Sequence, residues 1–117
     1  MITITLPWPV TINHYWGRKG NRSFILPRGL LFRKQTAIEC IPYTKSELYD
    51  KQLSLFICAF PPDRRHRDLD NVLKILMDSL QHAEVYKNDY QIDSIYIKRM
   101  PDLLGQVVVK IEEMIIA

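Results

Sequence analysis

The sequence predicts a single α/β (α+β) domain in which helices pack on a mixed β-sheet. A chain of 117 residues has the usual length of one domain. Its composition, 47% hydrophobic and 25% charged, is typical of an ordinary globular protein. Segments with the two-residue alternation of strands are separated by segments with a helical repeat, so we expect the order β-α-β-α-β-β over residues 1–117.

The N-terminal segment predicts a strand followed by a long loop. Ile2 and Ile4 alternate with threonines over residues 1–6, and Pro7 ends the strand because proline cannot donate to a sheet ladder. Residues 10–28 have no apolar repeat, and loops of that length in small domains are usually functional or mobile. We therefore expect an irregular loop after the first strand.

The middle of the chain predicts a helix and a second strand. Residues 29–41 suit a helix that Pro42 would stop. The apolar positions that support this helix are Leu30, Leu31, Ala37, Ile38 and Ile41. Residues 52–60 are rich in β-formers and too apolar for an exposed edge, so they predict a strand.

The clearest element is an amphipathic helix over residues 68–82, for which Asp68 is a suitable N-cap. Its apolar face recurs at steps of three and four: Leu69, Val72, Leu73, Leu76, Met77 and Leu80. Beyond it, residues 92–100 and 106–113 predict two strands that run antiparallel to each other, joined by a turn at Gly105.

Composition and patterning argue against membrane and secreted classes. No apolar run approaches the ~18 residues of a membrane span, and the N-terminus lacks the basic region of a signal peptide. Cys40 and Cys58 lie in apolar neighbourhoods, so buried reduced thiols are expected rather than a disulfide. We expect a cytoplasmic protein with no membrane partner and no small-molecule organic cofactor.

Charge is distributed unevenly along the chain. The formal net charge is +3, yet all 13 acidic residues lie at or beyond Glu39. Six cations precede that position: Arg18, Lys19, Arg22, Arg28, Arg33 and Lys34. This asymmetry indicates an anionic partner on one face, or equally a solvated loop and an ordinary polar helix face.

The sharpest chemical signal lies in residues 61–93. The run PPDRRHRDLDN places bases directly before two carboxylates, Asp68 and Asp70, at the start of the predicted helix. A hard cation such as Mg²⁺ binds a few carboxylate oxygens and keeps several waters. A further acid would come from elsewhere in the chain; Asp89 is the best candidate and Asp93 the reserve.

The neighbouring bases suit phosphate, which arginine binds bidentately. They are Arg64, Arg65, His66 and Arg67. Metal-assisted phosphodiester hydrolysis needs acids for the metal beside bases for the phosphate, because the cation activates a water and neutralises developing charge. Asp70, Lys74 and Asp78 form a polar stripe opposite the leucines of the helix.

Each of these residues also has a purely structural interpretation. Asp68 can be an N-cap, and Asp70 gains from the helix dipole whatever its function. Lys74 can pair with a neighbouring acid, Asp89 can be a turn residue, and the arginines can form a solvated loop. From spacing alone the structural interpretation is the more common one, because short motifs give many false positives.

Other chemistries find little support. The three histidines have no zinc-binding spacing, neither cysteine has a basic neighbour, and there is no glycine-rich phosphate loop. Four aromatic residues, Trp8, Tyr15, Trp16 and Phe24, accompany the cations near the N-terminus. They can stack on unpaired bases or, more commonly, cover a small core.

Three segments together resemble the RusA family of Holliday junction resolvases. They are ITITLPWP with Asn13 and Tyr15 beyond it, the block PDRRHRDLDNVLKILMDSL, and VYKNDYQID. The similarity runs in order over nearly the whole chain. Two positions depart from the family pattern: His66 interrupts an all-arginine run, and Lys87-Asn88 stands where an acidic pair is familiar.

The resemblance implies a Mg²⁺-dependent crossover junction endodeoxyribonuclease, largely phage- or prophage-associated, with Mn²⁺ as an alternative ion. Such an enzyme acts as a homodimer and makes paired symmetric nicks in four-way DNA junctions during recombination and repair. The catalytic acids and metal ligands fall on Asp68, Asp70 and Asp89, and the important lysine falls on Lys74. The expected DNA contacts are Asn13, Tyr15, Arg18, Lys19, Arg22, Arg64, Arg65, His66 and Arg67.

Three alternatives stay open at this point. The chain can be a non-catalytic junction- or DNA-binding module of the same fold, or a metal nuclease for flaps and other branched DNA. A protein-interaction domain without nucleic acid is the third, but it leaves the N-terminal cations unexplained.

Overall fold

The computed structural model describes residues 1–115, apart from the side chains of Ile12 and Asn13. Two short 3₁₀ turns, Ile41–Tyr43 and Asp89–Gln91, accompany its helices and strands. In chain order the elements are β1 (Ile2–Pro7), α1 (Ile12–Tyr15), β2 (Trp16–Lys19), β3 (Arg22–Ile25), α2 (Pro27–Glu39), β4 (Leu53–Phe60), α3 (Leu69–His82), β5 (Ile92–Arg99) and β6 (Gln106–Glu113).

A four-stranded mixed sheet in the order β1-β6-β4-β5 forms the centre of the fold. β6 runs antiparallel to both β1 and β4, and β4 runs parallel to β5. The predicted α+β class is therefore confirmed. The last two strands run antiparallel as expected, but they are not neighbours, because β4 lies between them. Leu53, Leu55 and Ile57 of β4 are fully buried, which suits a central strand.

Helix α3 packs its apolar face on this sheet. It begins one residue after the predicted start and ends at the predicted residue, His82. Val72, Leu76 and Leu80 are buried in the main core, and burying side chains of this size contributes about 1.5–3 kcal/mol each. The packing leaves the opposite side of α3 exposed, and Asp70 and Lys74 lie there.

Helix α2 is present two residues earlier than predicted, at Pro27–Glu39, and none of the apolar positions that predicted it is fully buried. Phe32 and Thr36 are buried, whereas Leu30 and Ile38 are 53% and 55% exposed. The Thr36 hydroxyl donates to the Phe32 carbonyl at 2.8 Å. A threonine that satisfies its own hydroxyl within the helix can occupy a buried position, which an apolar repeat does not reveal.

The irregular loop predicted over residues 10–28 is also wrong, since this segment folds as α1 and the hairpin β2–β3. The chain reverses at Gly20, whose φ of 63° is a left-handed conformation that glycine adopts at little cost. The Phe24 ring lies over Gly17, where a Cβ would stand 2.6 Å from the ring. Two glycines thus permit a hairpin that polar–apolar alternation does not indicate.

Both cysteines are free thiols. Cys40 is fully buried as expected, and burial, followed by the nearby charge of Glu39, raises its pKa to about 11. Cys58 is only half-buried. Within residues 1–115, no helix is both long and apolar enough to span a membrane.

Candidate active site

Two exposed carboxylates stand at the start of α3. Asp68 occupies the N-cap position with an extended backbone, but its side chain accepts no capping hydrogen bond. Asp70 follows in the first helical turn, and both residues are exposed. Neither carboxylate takes part in a salt bridge within the described chain. The oxygens of both side chains are therefore open to an external ligand.

Lys74 lies one turn after Asp70 on the same exposed face of α3. It forms no ion pair with another described residue, so the simple pairing with Asp70 or Asp78 is not observed. Asp78 instead pairs with Arg33. The ammonium group of Lys74 is thus unpaired among the described residues, one helical turn from Asp70.

Asp89 lies beside the other end of α3. Its backbone N–H donates to the Gln81 side chain at 3.1 Å, and Gln81 is eleven positions along the helix from Asp70. At 1.5 Å per residue, Gln81 and Asp70 are about 16.5 Å apart along the helix axis. The charge of Asp89 acts on Tyr86, whose hydroxyl contacts the Met77 carbonyl, seven positions from Asp70. No three carboxylate, imidazole or thiolate groups of the described residues come close enough together to hold a metal ion. One chain therefore brings Asp68 and Asp70 together at the helix start but leaves Asp89 apart.

The position of Asp89 is set by buried neighbours. The Tyr86 hydroxyl donates to the Met77 carbonyl at 2.7 Å, and burial, followed by the charge of Asp89, raises the pKa of Tyr86. The Asn88 side chain caps the following turn, and the buried Gln91 amide donates to the Tyr49 carbonyl at 2.9 Å. These contacts hold the segment after α3 against the body of the protein.

The Arg67 side chain is held by contacts within the protein, whereas a phosphate ligand is expected to be exposed and unpaired. Its guanidinium forms a two-pronged ion pair with Asp63, at 2.5 and 3.0 Å, and lies over the Trp8 ring at 5.9 Å. Arg99 donates a hydrogen bond to the Arg67 carbonyl. The hydrogen bond from Arg67, and then that from the Arg65 backbone, hold the pKa of the Asp63 carboxyl well below its usual range. These contacts fix the backbone immediately before Asp68.

The other bases of this segment are exposed. Arg65 keeps 83% of its side chain in solvent and is 3.8 Å from Asp63, while Arg64 and His66 are exposed beside it. A second cationic surface lies at the tip of the hairpin β2–β3. Its exposed members are Arg18, Lys19 and Arg22. Both groups of cations are open to solvent.

Tyr15, expected to contact DNA, is instead fully buried. Its hydroxyl donates to Asp78 and accepts from Arg33 Nε at 2.6 Å, and Arg33 Nη2 lies 2.7 Å from the same Asp78 oxygen. Burial, then the Asp78 hydrogen bond, raises the pKa of Tyr15 to about 12. Leu26 N–H donates to the Tyr15 carbonyl at 2.8 Å, so this network holds the base of the hairpin against α2 and α3.

The expected DNA contact of Asn13 involves a side chain outside the described residues. Arg33 was one of the six N-terminal cations that indicated an anionic partner, but it binds Asp78 and Tyr15 instead, and no local signal predicts these contacts. Asp78 did stand out in the polar stripe of α3, but its partners come from distant segments.

A cleft of about 420 Å³ opens beside Asp68, between the segment after β1 and the start of α3. Trp8, Val10 and Val72 contribute apolar lining, and His14 and Asn71 contribute polar groups. The helical repeat marked Val72 as a core residue, but no pattern in the sequence placed it beside Val10, since the two become neighbours only when the segment after β1 packs against α3.

Comparison with known proteins identifies the class of this protein: it is an endonuclease. The family model described as "Endodeoxyribonuclease RusA" matches residues 7–112. A protein of Enterobacteria phage HK97 named "Crossover junction endodeoxyribonuclease rusA" is 40% identical over 95 residues, which cover 80% of this chain and 78% of that protein. The chain belongs to the endodeoxyribonuclease RusA family.

Two further relatives carry the same name. The protein of Escherichia coli strain K12 is 32% identical over 107 residues, which cover 88% of this chain and 86% of that protein. The protein of Enterobacteria phage 82 is 33% identical over 106 residues, which cover 87% of this chain and 85% of that protein. The resemblance seen in the sequence is therefore confirmed over most of the chain.

Proposed function

We propose that this protein is a crossover junction endodeoxyribonuclease that resolves four-way DNA junctions in the cytoplasm, during recombination and repair. The observation that carries the proposal is the pair of uncommitted carboxylates, Asp68 and Asp70, at the start of α3 beside exposed arginines. Family membership supports the reaction class.

The donor set at the helix start fits a hard divalent cation. Mg²⁺ is usually held by one or two carboxylates, with waters and substrate phosphates completing its shell. Asp68 and Asp70 would hold it, and Mn²⁺, which favours the same oxygen ligands, is an alternative. When bound, the ion supplies Lewis-acid stabilisation of the phosphate and lowers the pKa of a water.

Lys74 is the third residue that we assign to the cleavage reaction, together with Asp68 and Asp70. Its ammonium group has no described ion pair and lies one turn from Asp70. It orients the attacking water or stabilises charge that develops on the phosphate, since a fixed cation in the site is worth more in the transition state than in free solution.

Two cationic surfaces bind the DNA backbone. Arg64, Arg65 and His66 lie beside the carboxylates, and the hairpin tip supplies Arg18, Lys19 and Arg22. We assign Arg67 to positioning the segment before Asp68, because its charge is already paired with Asp63. Tyr15 likewise holds the base of the hairpin rather than contacting DNA.

The protein acts as a homodimer, and each metal centre takes Asp89 from the second chain. Within one chain Asp89 follows the C-terminal end of α3, and among the described residues the three acids do not come close enough together to hold a metal ion. A centre that uses all three acids therefore needs the second copy. This arrangement makes paired nicking depend on dimer formation.

Mixing two inactive variants tests this proposal. Asp70→Asn and Asp89→Asn should each abolish nicking of a four-way junction. If Asp89 acts across the dimer, a mixed dimer regains one intact site and nicks one strand. If all three acids act within one chain, the mixture stays inactive.

One observation favours a second candidate, a junction-binding module without catalysis: residues 1–115 contain no three-group metal cluster. That module would bind the junction in the presence of Mg²⁺ or EDTA alike and leave every strand intact. Equal affinities without nicking would favour it over the nuclease.

A further inference from the structure

A cleft beside Asp68 has apolar and polar walls that the proposed cleavage chemistry does not use. It has a volume of about 420 Å³ and lies between the segment after β1 and the first turns of α3. Asp68 forms part of its wall, so the cleft and the carboxylate pair share an edge. A group in the cleft would lie next to the phosphate attacked at Asp68 and Asp70.

The apolar part of the lining suits a flat ring. Trp8 and Val10 enter from the β1 side, and Val72, itself 5% exposed, enters from α3. The Arg67 guanidinium lies over the Trp8 ring and helps to fix it. Apolar and aromatic walls of this kind bind a nucleobase removed from its stack.

The polar part of the lining suits the edge of a base. The Asn71 amide offers a donor and an acceptor, which is the pattern that reads base edges. His14 Nδ1 lies 3.1 Å from the Thr11 hydroxyl, which leaves Nε2 as the second ring nitrogen for a ligand. Together these groups present several hydrogen-bonding atoms at the mouth of the cleft.

The charges around the cleft argue against an anionic occupant. Asp68 on its wall repels phosphate, and the positive charge of Arg67 is already paired with Asp63. The other basic groups of the lining are the imidazoles of His14 and His66, which can hydrogen-bond a neutral ring as well. A neutral planar ring is not subject to this repulsion. The phosphates of the same strand would lie outside, toward the exposed Arg64 and Arg65.

We propose that the cleft between Trp8 and Asn71 accepts one unstacked nucleobase of the junction, from a nucleotide beside the phosphate that is cut. This inference rests on the proposed nuclease function and names the part of the substrate that the same site recognises. The base anchors the strand over Asp68 and gives cleavage a sequence preference. Branched DNA suits such a site, because unpaired or weakly paired bases cost less to unstack.

The test uses the full-length protein and a four-way junction carrying a single 2-aminopurine, moved one nucleotide at a time across the cut position. Binding is measured in EDTA, so that no strand is nicked. We expect a fluorescence rise at one nucleotide position, because 2-aminopurine brightens when it leaves the stack. Asn71→Phe, which fills the cleft, should bind the junction but lose that rise.

His82→Phe is the matched control, since it adds the same ring at the exposed far end of α3. It should keep the fluorescence rise. In Mg²⁺, Asn71→Phe should reduce the preference for one cut site roughly tenfold, within the range that base recognition supplies. An abasic nucleotide at the position identified should slow nicking of that strand by the wild-type protein.

A junction that is bound and nicked without any position of increased fluorescence would overturn the inference and leave the nuclease intact. A rise that persists in Asn71→Phe would also overturn it. If Asn71→Phe does not fold, the abasic junction decides with the wild-type protein: an unchanged nicking rate contradicts the inference. Absence of nicking by the wild-type protein would instead count against the proposed function.

Discussion

Replacing Tyr15 with phenylalanine removes one hydroxyl from the network that holds the hairpin to the helices. That hydroxyl donates to Asp78 and accepts from Arg33 at 2.6 Å. Hydrogen bonds to charged groups contribute about 1.5–3 kcal/mol. Because the Asp78 and Arg33 side chains are 38% and 19% exposed, water replaces part of the loss. We therefore expect Tyr15→Phe to lower the free energy of unfolding by about 1–2 kcal/mol.

In a chain of this size the change corresponds to a fall in Tm of roughly 4–8 °C. Thermal and urea unfolding followed by circular dichroism measure it. Tyr96→Phe, at a residue that is 58% exposed, is the matched control and should leave the free energy of unfolding nearly unchanged. The Tyr15→Phe protein should also bind a junction more weakly, because the hairpin cations lose their fixed position.

The pH dependence of this difference provides a sharper check. The pKa of Tyr15 is raised to about 12 in the folded protein, first by burial and then by the Asp78 hydrogen bond. A raised pKa stabilises the folded state fully below the unfolded pKa of about 10, and this stabilisation is lost as pH rises toward 12. The advantage of wild type over Tyr15→Phe should therefore decrease and be largely lost between pH 10 and pH 12. A constant difference over that interval would refute the reasoning.

Three further predictions follow from individual side chains. Arg64→Gln should reduce the slope of log binding constant against log salt concentration by about one unit, without changing Tm. Arg67→Gln should instead lower Tm, and an unchanged Tm in that variant would contradict the structural role of Arg67. Ser79→Ala should raise the free energy of unfolding by roughly 1 kcal/mol, because the buried Ser79 hydroxyl has no hydrogen-bond partner among the described residues. Urea unfolding measures the change, and a loss of stability would contradict the prediction. In the native protein a thiol reagent should modify the half-buried Cys58 well before the buried Cys40, and equal rates would contradict the packing.

The helix that carries the carboxylates was predictable because its structure is encoded locally. The repeat from Leu69 to Leu80 packs on the sheet as its spacing indicates, and Asp68 marks its N-terminus. The same repeat places Asp70 and Lys74 on the exposed side. For these residues, local periodicity and tertiary packing favour the same arrangement.

The hairpin was missed because its stability comes from distant partners. Tyr15 anchors it through Asp78, which lies 63 residues away in the chain. Its strands carry exposed residues on both sides, so they show no polar–apolar alternation. Only Gly17 and Gly20 hinted at close packing and a turn.

The roles of individual charges were harder to predict than the elements that carry them. Arg67 belongs to a run of bases, yet it pairs with Asp63 four residues earlier, a spacing that could have indicated an ion pair. The position of Asp89 depends on the buried side chains of Tyr86 and Gln91, whose partners lie in other segments. Spacing in the sequence identified the acids but did not determine which of them meet in one chain.

The central claim is tested most directly by incubating the purified protein with a synthetic mobile four-way junction in Mg²⁺ and in EDTA. We predict paired nicks at symmetric positions with Mg²⁺, no nicks in EDTA, and none with Asp70→Asn, although that variant still binds the junction. A junction that is bound tightly but never nicked under either condition would contradict the nuclease proposal and favour the binding module.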